Sequence, residues 1–213
     1  MNNTEALEPS PSRRAQDQLP ELAAWVSGLI AAQHTGLAVG ETPAAYAAQP
    51  PTLYLDTTIP SFLTARSSRD VNTARMLRVT RHWWREHRAH HAIFVSELVV
   101  EEASGGDAQA ARRRLDSIAS FPQLHRSEQS YELAGRIHSQ SRLPARAYSD
   151  AHHVAIAALS GVRVLLTWNC AHLANANMIP LIRRACEAYG YGAPDIYTPE
   201  QLIGVCAYGR SGS

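Results

Sequence analysis

The sequence predicts an α/β fold, a three-layer α/β/α sandwich built on a central parallel sheet. Three observations carry that expectation. Short apolar runs without polar interruption recur along the chain, the mark of strands covered on both faces. They alternate with stretches of helical periodicity, as in parallel α/β architectures. Two of the runs end abruptly in acids or hydroxyls, the place where open α/β sheets hold their ligands.

The first quarter of the chain reads differently. Residues 1–16 are polar, with Pro9, Pro11 and a Ser-Arg-Arg run, the composition of a disordered leader. Leu19, Leu22, Trp25, Val26, Leu29 and Ile30 then recur at helical spacing and predict an amphipathic helix. Residues 35–51, rich in alanine, glycine and proline, read as a linker. A leader over 1–51, one structured domain over 52–204 and a flexible tail over 205–213 is the expected organisation.

Residues 52–58, TLYLDTT, open the domain as a buried strand ending in Asp56 and two threonines. A short helical piece begins at Pro60, 66–70 is a polar loop, and 71–90 is a long helix. On that helix Met76, Leu77, Val79, Trp83 and Trp84 share one face at 100° per residue, and Arg78, Arg81, Arg85 and Arg88 gather opposite. The arginine stripe reads equally as a solvated face or as a surface that tracks phosphates or meets a partner. AIFVS over 92–96 is the second strand, 97–103 begins the helix after it, and Asp107 caps a further helix through 119. Residues 122–125 are extended and 128–141 helical.

The stretch 146–173 organises the rest. Ser149 and Asp150 form a capping-type pair where a helix N-terminus accepts negative charge. An alanine-rich buried helix follows, and Gly161 ends it by taking the left-handed conformation a C-terminus needs. Residues 162–167 form a strand that ends in Thr167, Trp168 and Asn169. A helix over 179–189 closed by Gly190, a last strand over 194–198 and a short helix over 199–203 complete the domain.

Composition narrows the function classes. A formal net charge of +1 gives no global attraction to nucleic acid, so any such binding must come from local clusters. The basic residues are all arginine, which suits phosphate contacts but also fits a bland compositional origin. Cys170, Cys186 and Cys206 are odd in number and lack a CxxC spacing, against a disulfide framework or zinc knuckle and for a reducing compartment. The N-terminus has no signal-peptide core, and the apolar stretch 22–32 is too short to span a bilayer. A cytoplasmic protein with no membrane partner is expected.

Acids fall at element junctions: Asp56 after the first strand, Glu101 and Glu102 after the second, Asp150 before a central helix. Carboxylates so placed suggest a Mg²⁺ or Mn²⁺ site, since hard cations take oxygen ligands. Without metal, apposed carboxylates repel and at least one pKa should rise. His152 and His153 sit about 100° apart on a helix, so a shared zinc ion is disfavoured. Cys170 reads as a filler, and Trp168 either stacks on an RNA base or packs over the edge of the site.

The order YLDTT, then a serine followed six positions later by Glu102, then SDAHHVAIA and LLTWN, resembles the PIN-domain family and its VapC-like toxin ribonucleases. The block SDAHHVAIA–LLTWN with a terminal PDIYTPEQL is the most specific part, and looks like a subgroup whose strand-end signature reads T-W-N. The resemblance implies a metal-dependent endoribonuclease that cuts RNA with Mg²⁺ or Mn²⁺, the toxin of a toxin–antitoxin pair. It implies a cognate antitoxin and a homodimer as partners. Carried over, Asp56, Glu102 and Asp150 are the catalytic, metal-holding acids, with Glu101 and Glu102 exchangeable. Thr58 and Thr167 match the small polar residues that accompany the family's first and last strands, and are expected to touch substrate. The family's fourth acid falls two or five residues after the strand-end threonine, where this chain has Asn169 and His172. Asn169 is then expected to touch substrate. His172 would take a catalytic role, as ligand to a softer metal, phosphate contact or proton donor to the leaving oxygen.

Two rival readings remain. One is a catalytically weakened PIN-like module that binds RNA or protein. The other is a metal-dependent phosphohydrolase acting on small phosphate esters. The amphipathic N-terminal helix would suit a groove on the domain in cis, or an extended dimer.

Overall fold

A computed structural model of the chain describes residues 50–141 and 143–209, with side chains as far as Val205. The expected leader, the amphipathic helix over 19–30 and most of the linker lie outside the described residues.

Each short apolar run is a strand, and all of them join one parallel sheet. β1 (Thr52–Leu55) is followed by helices α1 (Thr58–Thr64) and α2 (Val71–Glu86), and a 3-10 turn over Arg88–His90 leads into β2 (Ala92–Ser96). Helices α3 (Glu97–Ala103) and α4 (Ala108–Ile118) lead to the two-residue strand β3 (Gln123–Leu124). Then come α5 (Glu128–Gln140), a 3-10 turn over Ala145–Ala147, α6 (Tyr148–Leu159), β4 (Val164–Leu166), α7 (Ile179–Glu187), β5 (Asp195–Tyr197) and α8 (Pro199–Gly209). The last helix runs past residue 203, where the sequence places its end.

The strand order is β3-β2-β1-β4-β5. The chain therefore winds outward from β1 on one side, then returns to lay β4 against the other edge of β1. Leu53 pairs with Ile93 in β2 and with Val164 in β4. The boundary between β1 and β4 is the topological switch point, where α/β sheets open a crevice at their carboxyl ends. The residues at that boundary are Asp56 and Thr167.

β1 and β4 are buried along their whole length, as strands covered by helices on both faces must be. Helix α1 packs on α2 and α4, and α2 on α8; α5 packs on α6 and α7. Leu53, Tyr54, Leu55, Leu165 and Leu166 are fully enclosed. Gly161 and Gly190 close α6 and α7 with φ of 63° and 79°, values that suit glycine alone among common residues. Among the described residues no helix is long and apolar enough to cross a membrane.

Helix α2 departs from its expected faces. Arg81 does not join a free stripe: its Nη2 donates to the Ala65 carbonyl at 2.6 Å and its Nε to that of Leu63 at 3.3 Å, holding the end of α1. Thr80 takes the buried position instead, and its hydroxyl accepts from Trp168 Nε1 at 2.7 Å. Trp168 is thus packed inside, with its ring 6.1 Å from that of Phe62, rather than presented to a base.

Candidate active site

The site grows from the end of β1. Asp56 is 3% exposed, and its Oδ1 accepts from the Thr58 amide at 2.7 Å and the Thr58 hydroxyl at 2.5 Å. This turn replaces a side-chain cap on α1 and fixes the carboxylate. The Thr58 hydroxyl also accepts from the Trp168 amide at 2.8 Å, and the Asp56 amide donates to the Leu166 carbonyl at 3.1 Å. Asp56 is therefore tied to β4 as well as β1. Thr167 Oγ1 lies 3.4 Å from Thr58 Oγ1 and accepts from the Asn169 amide at 2.9 Å.

Glu102 arrives from α3. Ser96 caps that helix by accepting from the Val99 amide at 3.3 Å, which sets its direction off the end of β2. Both Glu102 oxygens are engaged: Oε1 by the Ser149 hydroxyl, Oε2 by the Thr57 hydroxyl and by His153 Nε2 at 3.0 Å. Glu101, its neighbour, turns outward and pairs with Arg126 at 2.7 Å. The geometry separates two acids that the sequence leaves exchangeable.

Ser149 and Asp150 are not the capping pair that the sequence suggests, although Asp150 does stand in the first turn of the helix, where negative charge is accepted. α6 starts at Tyr148 with Ala147 as its N-cap, and no side chain caps it. Ser149 reaches Glu102, and Asp150 Oδ2 stands 2.7 Å from His172 Nδ1. His172 is delivered by the turn after β4, where its amide donates to Asn169 Oδ1 at 3.1 Å. Asn169, expected to contact substrate, has its oxygen engaged in shaping that turn.

His153 ties the acids together. Fully buried, it sits between Glu102 and the Tyr54 hydroxyl, 2.7 Å from its Nδ1, and that hydroxyl lies 2.7 Å from Ser96 Oγ. A consistent donor order runs Ser96 to Tyr54 to His153 to Glu102, with the neutral imidazole protonated on Nε2. Burial lowers the His153 pKa, but the hydrogen bond to Glu102 and the charges of Asp56, Glu102 and Asp150 outweigh it and raise it. One imidazole thus feels all three acids.

The acids respond differently. Burial raises the Asp56 pKa against the opposing pull of His153 and Thr58, and the charge of Glu102 adds only a little. The expected rise is there, caused by desolvation more than by repulsion. For Glu102 burial also pushes upward, yet His153, Ser149 and Thr57 overcome it and hold the pKa at about 2.

Among the described residues no three His, Cys, Asp or Glu side chains stand where they would hold a metal ion. The donor set nonetheless suits a hard cation in kind, being all carboxylate. Among the described residues Asp56 Oδ2 and Asp150 Oδ1 accept no hydrogen bond, while Glu102 would have to exchange its hydroxyl and imidazole partners to join them. His152 is no ligand either: its Nε2 meets Ser130 Oγ at 2.9 Å, and burial depresses its pKa to about 4.

Sequence reasoning passed over Tyr54, Thr57 and the role of His153. Periodicity held the signal. Tyr54 lies two residues before Asp56 on a strand, hence on the same side, and Ser149 and His153 are four apart on one helix face.

No protein-family description matches the chain, and no curated protein matches it. Among solved structures it is similar to FitAcB from Neisseria gonorrhoeae, with a TM-score of 0.47 and 14% identity over 70% of this chain and 98% of that one. It is similar to VapBC2 from Rickettsia felis bound to a DNA fragment from their promoter, with a TM-score of 0.42 and 12% identity over 69% and 98%. It is also similar to Mycobacterium tuberculosis VapC20, a Sarcin-Ricin loop cleaving toxin, with a TM-score of 0.41 and 14% identity over 54% and 87%.

Proposed function

We propose that this chain is a PIN-type endoribonuclease that hydrolyses RNA phosphodiester bonds with Mg²⁺ or Mn²⁺, and that it serves as the toxin of a toxin–antitoxin pair. What supports the reading is that His153, hydrogen-bonded to Glu102 at 3.0 Å, also feels the charges of Asp56 and Asp150, with Asp56 at the switch point of a parallel sheet. The motif order YLDTT, Glu102, SDAHHVAIA and LLTWN supports it independently.

Asp56, Asp150 and Glu102 would hold the divalent ion, which when bound activates a water and offsets charge on the phosphate oxygens. The chain's own groups do the rest. Thr58 aims Asp56, and Thr57, Ser149 and His153 keep Glu102 ionised near it. Asp150 orients His172 through Nδ1, leaving Nε2 without a partner among the described residues. As a water oxygen bonds to phosphorus and the phosphorus–oxygen bond to the leaving nucleoside breaks, His172 Nε2 is the position from which a proton would pass to that oxygen. A cognate antitoxin and a second copy of the chain are the partners this reading brings with it.

The test is RNA cleavage with Mg²⁺ or Mn²⁺, with and without Asp150→Asn. A cleavage rate indifferent to the substitution removes the proposal. One observation favours a second reading, a PIN-like module that binds RNA or protein without cutting: both Glu102 oxygens are already engaged. Calorimetry decides between them, because the module would take up no divalent ion.

A further inference from the structure

A second concavity lies between the C-terminal half of α1 and the N-terminal half of α4. Its volume is about 430 Å³, within the range of natural ligand pockets. Its charged lining is Arg66, Arg113, Arg114 and Asp107, three cations against one anion. Ser61 and Gln109 add a hydroxyl and a carboxamide.

These charges are not equally available. Asp107 caps α4, accepting from the Ala110 amide at 2.9 Å. Arg114 is structural: its Nε donates to the Ala103 carbonyl at 2.9 Å and its Nη2 to that of Gly105, fastening the wall to the chain just beyond Glu102. Arg66 and Arg113 make no hydrogen bond or ion pair among the described residues. The Nε of Arg113 is moreover buried without an acceptor, a state folded proteins rarely leave standing. A permanently charged guanidinium with an unanswered buried N–H points to an anion.

We infer that Arg66 and Arg113 grip a backbone phosphodiester of a single RNA strand while a neighbouring linkage lies at the carboxylate site. The identity of the polymer rests on the nuclease reading. The placement rests on chain connectivity: α1 begins at Thr58, which holds Asp56, and its cavity-lining residues are Ser61 and Thr64. At roughly 1.5 Å per residue these lie about 5–9 Å further along the helix, and Arg66 follows two residues after its end, facing the cavity wall that carries Arg113. A cluster of carboxylates repels an RNA strand, and a formal net charge of +1 supplies no general attraction. A local cationic grip beside the acids answers both, and a planar guanidinium matches phosphate oxygens in pairs.

The experiment uses full-length Asp150→Asn protein, so that RNA survives, and a single-stranded oligoribonucleotide titrated at several salt concentrations. Adding Arg66→Gln with Arg113→Gln should weaken binding on the order of tenfold and flatten the log K against log salt slope by roughly 0.7, for the one lost phosphate contact. Arg66→Lys with Arg113→Lys, which keeps the charge, should retain most of the slope, and unchanged melting of both variants shows that the fold is kept. Inorganic phosphate should compete in the parent and lose that effect in the glutamine variant. An unchanged affinity and slope in the glutamine variant overturns the assignment. So does arginine-dependent binding of phosphate or of poly-glutamate without arginine-dependent RNA binding, which would make the cavity a free-anion or acidic-peptide site. Binding needs no cleavage, so the two readings fail separately: a wild-type protein that grips RNA through these arginines without cutting it loses only the nuclease.

Discussion

The Nε2 of His153 stands 3.0 Å from Glu102 Oε2, and its other ring nitrogen 2.7 Å from the Tyr54 hydroxyl. Each partner is buried or half-buried, so the contact couples the charge state of a surface-reaching acid to a polar thread inside the sheet.

That coupling sets an acid limb. The Glu102 pKa is about 2 in the fold against an ordinary 4.5. Its ionised form therefore stabilises the protein fully above pH 4.5, and the contribution fades as pH falls from 4.5 towards 2. Thermal melting should drop through that window, and Glu102→Gln should flatten the drop. His153 has the opposite sign: its raised pKa gives stability below the ordinary 6.5 that is lost as pH rises through the folded value.

Tyr54→Phe removes one hydroxyl, leaving His153 Nδ1 without its partner and Ser96 Oγ with only the Val99 amide. The expected cost is about 1–3 kcal/mol, since a buried polar group without its partner carries a desolvation penalty. Urea denaturation measures it. A Tyr54→Phe protein as stable as the parent would show that the thread contributes nothing.

His172→Ala should lower the rate of RNA cleavage about 10²- to 10⁴-fold, the usual reach of a positioned acid. Glu101→Gln is the companion control: its carboxylate faces Arg126 at the surface, and cleavage should be unchanged.

Chelation should abolish cleavage, and added Mn²⁺ should restore it. Ion uptake followed by calorimetry should weaken on acidification at a pH above the ordinary 3.8 of an aspartate, because burial raises the Asp56 pKa and a proton then competes with the metal. Asp150→Asn should weaken uptake at every pH.

The core offers a purely structural check. Leu165 is fully enclosed in β4, and Leu165→Ala should cost about 2–5 kcal/mol in denaturant unfolding, according to how far the cavity collapses.

The sequence revealed where elements begin and end far better than where their side chains go. β2 and α3 fall where AIFVS and ELVVEEA place them, because periodicity and β-branching are local properties. Asp56 was legible as a strand-end acid for the same reason. Asp150 was legible as a candidate site acid but also as a helix-start charge, and Ser149 only as a cap, because a helix start offers the same residue types a cap or a site, and only the approach of α3 and of the turn after β4 shows which partners they take. Arg81 belongs to this class too, since its carbonyl partners on α1 come from a different element. Glu102 was separated from Glu101 by nothing local, and three-dimensional neighbours settled which way each turns.

The strand order has one more consequence. Asp56 and Glu102 come with β1 and β2, whereas Asp150 and His172 come with α6 and the turn after β4, and the two groups meet along the β1–β4 seam and where Ser149 and His153 reach Glu102. Two separately produced half-chains, one ending after β3 and the other starting at α5, would each hold half a reactive centre and be inert alone. Recovery of RNA cutting on mixing them would then report that the seam had re-formed.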